Sequence, residues 1–453
     1  MKDNLPDMEK EMEPVKKNGK NPWYFIPSQY FAEGIPFYLV NQVSTAMYKS
    51  LQASNIFIGY TSFLYLPWSI KLFWGPLVDA YGTKRKWALY MELLIAVCLL
   101  ILTFTLHLNS FLTISLVIFT VIAVLSATHD IATDGFYLHA LDKKDQAFFT
   151  GIRSTFYRLS MIVAVGVLVK LAGDIGIRTG NIATGWSVAF GISACMFFIL
   201  YIFHNIVLPR PETDHAVNTN EKSVPYGLIF KTYFTQEKIR VILAFILLYR
   251  FGEGMLLKMA QPFLLDPKEA GGLGFTISDL GIMYGTFGVI ALIVGGILGG
   301  WLIRKYGLKK LIWGMALTMN LPNILFVYMA YAKPHIIWNI DFSFLLKLFG
   351  SAGTLFYVVN PVVQLCLLIE QFGYGLGFTS FMVYLLYVSK GEYKTSHFAI
   401  STGLMALGMM IPGFLSGYVQ HAVGYLGLFS ISLLLGIPGM IPIFFLPFEE
   451  ETN

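Results

Sequence analysis

Charge is scarce in this chain. Of its 453 residues 13% are Asp, Glu, Lys or Arg and 56% are hydrophobic, whereas a soluble globular domain carries about 25% charged residues. That deficit argues against an ordinary soluble domain, and a mean hydropathy of +0.63 agrees. The formal charge of +5 is too small for a basic footprint that would recognise nucleic acid. Cysteine is nearly missing: Cys98, Cys195 and Cys366 stand far apart, each within an apolar run, so neither a disulfide framework nor a metal-ligand spacing can be read. There is no Walker loop, no H-E-x-x-H pair and no defensible Ser-His-Asp cue, which argues against ATP hydrolysis by this chain alone and against hydrolytic catalysis. No enzyme activity, cofactor or metal is therefore expected. Residues 1–22 mix both charge signs and have no apolar core followed by a small-residue cleavage site, so they read as a retained cytoplasmic tail and not as a signal peptide.

What the chain does have is apolar windows of roughly 20 residues, each long enough to cross a hydrocarbon core. Short alternating segments, the mark of a membrane barrel, do not occur. The expected class is an all-α integral membrane protein with twelve spans, near 23–47, 56–79, 87–107, 112–140, 146–172, 186–208, 239–265, 278–303, 311–332, 358–389, 397–420 and 424–447. The stretch 333–357, with FSFLLKLFGSAGTLFYVV, leaves an extra interfacial or re-entrant segment open. Short cytoplasmic loops retain Lys and Arg. Lys84, Arg85 and Lys86, Lys143 and Lys144, Arg304, Lys305, Lys309 and Lys310, and Lys390 and Lys394 all fall on the side of the N-terminal tail. Opposite loops offer little beyond Lys49, Arg178, Lys268 and Lys333, so both termini are expected in the cytoplasm. A polar stretch with Pro209, Pro211 and Pro225 separates six spans from six. The expected organisation is a tail 1–22, a bundle 23–208, a cytoplasmic linker 209–238, a bundle 239–448 and a tail 449–453.

The chain also repeats itself. GPLVDAYGTKRK begins at Gly75 after span two and GWLIRKYGLKK begins at Gly300 after span eight, aligning Gly75, Tyr81, Gly82, Lys84 and Arg85 with Gly300, Tyr306, Gly307, Lys309 and Lys310. Glycines permit a tight turn and close helix approach, the cations hold the loop inside, and Asp79 can cap a helix or meet a cation. Two halves with the same loop chemistry describe a transporter built from repeats around a midplane site. The loop residues Gly75, Asp79, Gly82, Lys84, Arg85, Gly300, Arg304 and Gly307 are accordingly expected to gate one face.

The G-x-x-x-D-x-x-G-x-K/R-R/K form resembles the signature loop of the major facilitator superfamily. EGIPFYLV, LPWSIKLFWGPLVDAYG, HDIATDGF and YRLSM in the first half, with GFTISDLGIMYGTFGVIALIVGGILGGWL, EQFGYGLGFTSFMVYLL and SHFAISTGLMALG in the second, resemble one branch of it, the AmpG muropeptide permeases and related peptide/acetyl-coenzyme A transporters. The matching positions are Gly34, Pro36, Pro67, Lys71, Trp74, Pro76, Asp79, Asp130, Asp134, Arg158, Glu370, Gly375 and Gly377. The sequence departs from the pattern at Glu33, where a small residue is usual, at His129, where Gln is common, and at Arg304, where an acid stands in the signature loop. The resemblance implies two pseudo-symmetric six-helix bundles in a bacterial cytoplasmic membrane, acting as a monomer. It further implies proton-coupled import of N-acetylglucosaminyl-anhydro-N-acetylmuramyl peptides, an anionic sugar-peptide class. A permease for another bulky solute, such as an oligosaccharide or an iron-siderophore, is the alternative.

Charges inside the spans are the remaining signal, because an ionisable group at a helix centre costs about 2.5–3.5 kcal/mol on insertion scales and should face a cavity or a partner. Asp130 and Asp134 lie on one stripe of span four, in SATHDIATDG. Spans four and five meet near Lys143 and Lys144, so Asp134 should lie level with Arg153 and Asp130 with Arg158, and one close pair, Asp130 with Arg158, is expected. Glu33, Asp130, Asp134 and Arg158 are the candidates for proton coupling. Gln29, Lys71, His129, Arg250, Glu253, Lys258, Glu370 and Gln371 are candidates for the cavity wall, with Arg250 and Glu253 at i,i+3 able to neutralise each other instead.

Overall fold

The computed structural model describes residues 20–212, 214, 226–341, 356–390 and 394–448. Within them twelve rods are traced. Eight stretches are long and apolar enough to cross a membrane by composition, among them Lys84–Thr105, Phe111–Ala140, Ile182–Val207 and Pro361–Val388. The last such stretch, Ser396–Phe445, holds two rods: Gly424, at φ 70° and ψ −179°, breaks the helix Lys394–Met440 where spans eleven and twelve were expected to part. The outer faces carry exposed apolar side chains such as Phe104, Ile199, Ile297 and Leu434. A soluble protein rarely tolerates such a continuous apolar exterior, whereas hydrocarbon chains match it.

Spans one, two, five, seven and eight are interrupted, and the interruptions follow from the sequence. Span one runs as Ile26–Tyr38, a π-helical turn Leu39–Val43 and Ser44–Ser50. Pro36 lies just before that turn and has no N–H to give the preceding helical turn. Span five carries a π turn at Ile162–Leu168 and span eight one at Met283–Gly288. These two turns meet: a Cβ on Gly285 would lie 2.1 Å from the Val165 carbonyl oxygen, so only glycine lets the backbones approach this closely. Span seven divides into Ile239–Leu248 and Phe251–Leu265 at Arg250, and span two into short helices with 3₁₀ turns from Asn55 to Ala80.

One buried cluster runs through both halves, with Phe119, Trp186, Phe190 and Phe197 in the first and Phe263, Phe326 and Phe429 in the second, and a further one lies in the second half around Phe245, Tyr249, Phe381 and Tyr384. The halves come together at the end of the rods that bears Lys49, Asn55, Asp266 and Tyr425. Lys49 Nζ meets Asp266 Oδ1 at 2.5 Å and donates to Asn55 Oδ1 at 2.8 Å. Tyr425 OH donates to Asp266 Oδ2 at 2.5 Å and accepts from Asn55 Nδ2 at 2.9 Å. Toward the opposite end, nearer the cationic loops, solvent reaches Asp134, whose side chain is 49% exposed.

Trp338–Asp341 and Phe356–Val359 pair antiparallel, with Trp338 opposite Val359; residues 342–355, where an extra membrane segment was left open, lie outside the described ones. In the linker, Tyr226–Phe234 is helical and packs on span eleven, with Tyr233 OH 2.8 Å from Ser401 Oγ and Thr232 Oγ1 3.0 Å from His397 Nε2.

Candidate functional site

Between the halves lies a cavity of about 600 Å³, within the range of about 300–1,000 Å³ usual for small-molecule sites. Spans one, two, four and five supply Glu33, Lys71, Asp134, Arg153 and Arg158, and the second half supplies Arg250, Lys258 and Gln371. Aromatic rings fill much of the remaining wall, including Tyr38, Tyr65, Trp68 and Phe378.

The charges of the first half are mostly matched. Lys71 on span two bonds the Asp130 carboxylate. Arg153 Nη1 meets Asp134 Oδ1 at 3.1 Å, and Tyr30 OH donates to the same oxygen at 2.9 Å. The Arg153 guanidinium also covers the rings of Tyr30 and Tyr137, 5.3 Å and 5.2 Å from their centroids, a placement that favours a cation. Beside these pairs Glu33 is 8% exposed, and its Oε2 has no hydrogen-bond partner.

The expected pair of Asp130 with Arg158 does not form. Equal distance from the hairpin turn held for Asp134 and Arg153, but depth alone ignores which neighbour reaches a stripe first. Lys71 enters from span two and takes Asp130. Arg158 is five residues beyond Arg153, about 140° around the helix, and points at span eight: a Cβ on Gly296 would come within 2.9 Å of its Nη1.

In the second half Arg250 is spent locally. Its Nη2 meets Glu253 Oε1 at 2.9 Å, its Nε meets Oε2 at 3.2 Å, and Nη2 also donates to Tyr374 OH at 2.8 Å. This bidentate pair is the self-neutralising alternative, and it leaves Glu253 2% exposed and off the cavity wall. Glu370, 1% exposed, likewise sits behind the wall, held by Gln371 Nε2 at 2.9 Å, while Gln371 itself lines the cavity.

Gln29 and His129 are also removed from the cavity. Both are fully buried inside the first bundle. His129 Nε2 lies 3.3 Å from Glu92 Oε1, and His204 Nδ1 lies 2.6 Å from the same oxygen; Ser28 Oγ is 2.9 Å from His204 Nε2. The reason is geometric: a neighbour of Asp130 lies about 100° around the helix, so when Asp130 faces span two His129 turns into the bundle. Glu92 and His204 escaped the sequence reading, although a lone carboxylate inside the apolar run of span three carried the same signal as Asp130.

The two repeated loops share a backbone feature. Gly82 and Gly307 both adopt positive φ, 83° and 82°, which an L side chain resists. Gly75 and Gly300, expected to permit close helix approach, face open space instead. Asp214 of the linker accepts from the backbone N–H of Lys84 at 2.7 Å and of Arg85 at 3.0 Å, an anion placed at the start of Lys84–Thr105. Arg85 in turn donates to the carbonyls of Leu208 and Asn205. Arg304 is exposed, and the side chain of Asp79 lies outside the described residues.

The family profile described as Major Facilitator Superfamily matches residues 28–367. Anhydromuropeptide permease of Escherichia coli strain K12 is 24% identical over 417 residues, covering 91% of this chain and 77% of its own length. Among solved structures, a bacterial homolog to the human lysosomal transporter Spinster, inward-facing and unoccupied, superposes with a TM-score of 0.67 at 13% identity, covering 94% of this chain and 97% of that one. A D-xylose-proton symporter superposes with a TM-score of 0.66 at 10% identity, covering 93% and 96%. At such identities the two structures bear on the fold alone. The chain therefore belongs to the major facilitator superfamily, as an AmpG-like, multi-pass membrane transporter and not an enzyme.

Proposed function

We propose that this transporter imports a bulky anionic sugar-peptide, an anhydromuropeptide released from the cell wall, across a bacterial inner membrane with both termini in the cytoplasm, and that protons drive the movement. The observation that carries this reading is the charge pattern of the cavity. Every described carboxylate near it except Glu33 has a cationic partner or a neighbouring amide, whereas Arg158 has no ion-pair partner among the described residues. A solute that brings its own negative charge completes such a site. The rings of Tyr65, Trp68 and Phe378 on the cavity wall suit sugar faces. The curated relative named for anhydromuropeptides adds the substrate class.

In the coupling step Glu33, on the cavity wall, takes up and releases the proton. Lys71, which bonds Asp130, lines the same cavity, so a change of charge on Glu33 changes the field at the lysine. The loops around Gly82 and Gly307 hold the cytoplasmic ends during the change of access. Uptake of labelled anhydromuropeptide into membrane vesicles, compared with simple disaccharides and siderophores and with or without a proton gradient, tests the reading. Gradient-dependent uptake of the muropeptide is expected. Uptake of a disaccharide or siderophore in its place, or uptake indifferent to the gradient, would overturn it.

A further inference from the structure

At the closed end of the cavity the lining changes character. Asn41, Gln42 and Thr45 of span one face Lys258 and Gln261 of span seven, and all five line the same void. Lys258 is 9% exposed, and among the described residues it has one hydrogen-bond partner, Thr45 Oγ1 at 3.3 Å, and no carboxylate. It differs in this from Lys71, Arg153 and Arg250, each of which holds an acid. A buried cation without an acid is costly, by several kcal/mol in rough terms, so a chain that keeps one in a cavity keeps it for a ligand.

The acceptors around it are just as unsatisfied. Asn41 Oδ1, Gln42 Oε1 and Gln261 Oε1 are buried and have no hydrogen-bond partner, although Asn41 and Gln261 are only 5% and 3% exposed. Pro262 has no N–H to donate to the Lys258 carbonyl four residues back, which frees another acceptor on the same turn. Local backbone puts these groups there. The π turn Leu39–Val43 shifts the phase of span one so that Asn41 and Gln42 both reach the cavity, and Lys258 and Gln261 share a stripe at i,i+3.

We propose that this end of the cavity is a subsite for the carboxylate end of a peptide or amino acid. The carboxylate meets the Lys258 ammonium, and the ligand's own N–H groups meet the orphaned amide oxygens. A simple inorganic anion brings no donors for those oxygens, and a neutral sugar brings no charge for the lysine. The subsite rests on the reading that the transported solute is anionic, and it adds which end of that solute lies toward the closed side of the cavity. Because span one supplies half of it and span seven the other half, an occupied subsite ties the two bundles together at the closed end.

Ligand binding to the purified protein, measured by thermal stabilisation, decides the matter. The probes are anhydromuropeptide with a free terminal carboxylate, the same compound with that carboxylate amidated, and a panel of dipeptides and sugar acids with their amides. The unmodified protein is expected to bind the acid at least tenfold more tightly than the amide. Lys258→Met, or Lys258→Gln where the first variant does not fold, is expected to bind both equally and about as weakly as the unmodified protein binds the amide. If the muropeptide does not bind but a dipeptide acid does, with a preference that Lys258→Met abolishes, the subsite stands and the muropeptide reading falls. If the muropeptide binds without preference for the acid, or the preference survives in the Lys258 variants, the subsite falls and the muropeptide reading stands. Should no acid in the panel bind, the subsite is refuted as well.

Discussion

Asp266→Asn is the sharpest test of how the closed end is held. In the structure the Asp266 carboxylate joins Lys49 and Tyr425, and Asn55 closes the ring by bonding Lys49, Tyr425 and, at 3.4 Å, Asp266. Lys49 and Asn55 belong to the first half, Asp266 and Tyr425 to the second, so every link between these pairs spans the cleft. The substitution keeps the shape of the side chain and removes its charge, which turns the ion pair with Lys49 into an ion–dipole contact and the Tyr425 bond into a neutral one. Bonds to charged groups contribute about 1.5–3 kcal/mol and exposed ion pairs about 0.2–1 kcal/mol. The Lys49 and Asp266 side chains, each 12% exposed, fall between these cases, and about 2 kcal/mol is the expected loss. At about 1.4 kcal/mol per tenfold, this moves the ratio of closed-end to open-end molecules by roughly 30-fold, enough to turn 99:1 into about 3:1. Spin labels at Arg178 and Glu269, both exposed at this end on opposite halves, should then report a second, longer distance absent from the unmodified protein. An unchanged distance distribution in Asp266→Asn would show that the network decorates the closed end without holding it.

Other substitutions test the remaining parts of the site. Glu33→Gln should flatten the pH dependence of uptake while leaving binding of the solute within a few-fold, and a mutant with the full proton-driven gradient would reduce Glu33 to a structural side chain. Exchanging Lys71→Asp with Asp130→Lys should restore folding, measured as monodisperse elution, without restoring coupled uptake; recovery of both would make the pair structural. Gly285→Val puts a side chain against the Val165 carbonyl, and overpacking of this kind costs about 1–3 kcal/mol or more, so the melting temperature should fall clearly below that of the same change at Gly300, which faces open space.

Much was legible before any coordinates, for reasons that are local. Span positions follow from runs of apolar residues, and a membrane leaves a helix as the simplest way to satisfy their backbone groups. Gly82 and Gly307 announce their turns because the turn needs a positive φ, and the Arg250–Glu253 pair follows from two residues one helical turn apart. The demand that Asp130 and Asp134 find partners was equally local, since burial alone imposes it.

Which partner each one found was decided between helices. Depth could be counted from the turn near Lys143, and it placed Arg153 beside Asp134; azimuth could not, because it depends on how spans two, four, five and eight roll against each other. That roll gave Asp130 to Lys71, turned Arg158 toward Gly296 and buried His129 against Glu92 and His204. The sequence determined that charges in these spans must be matched, because an apolar medium penalises any that are not. Only the packing of twelve rods decided which were matched within the protein and which, such as Lys258 at the closed end of the cavity, were left to face the void, because a match requires two side chains from different helices to arrive at the same point.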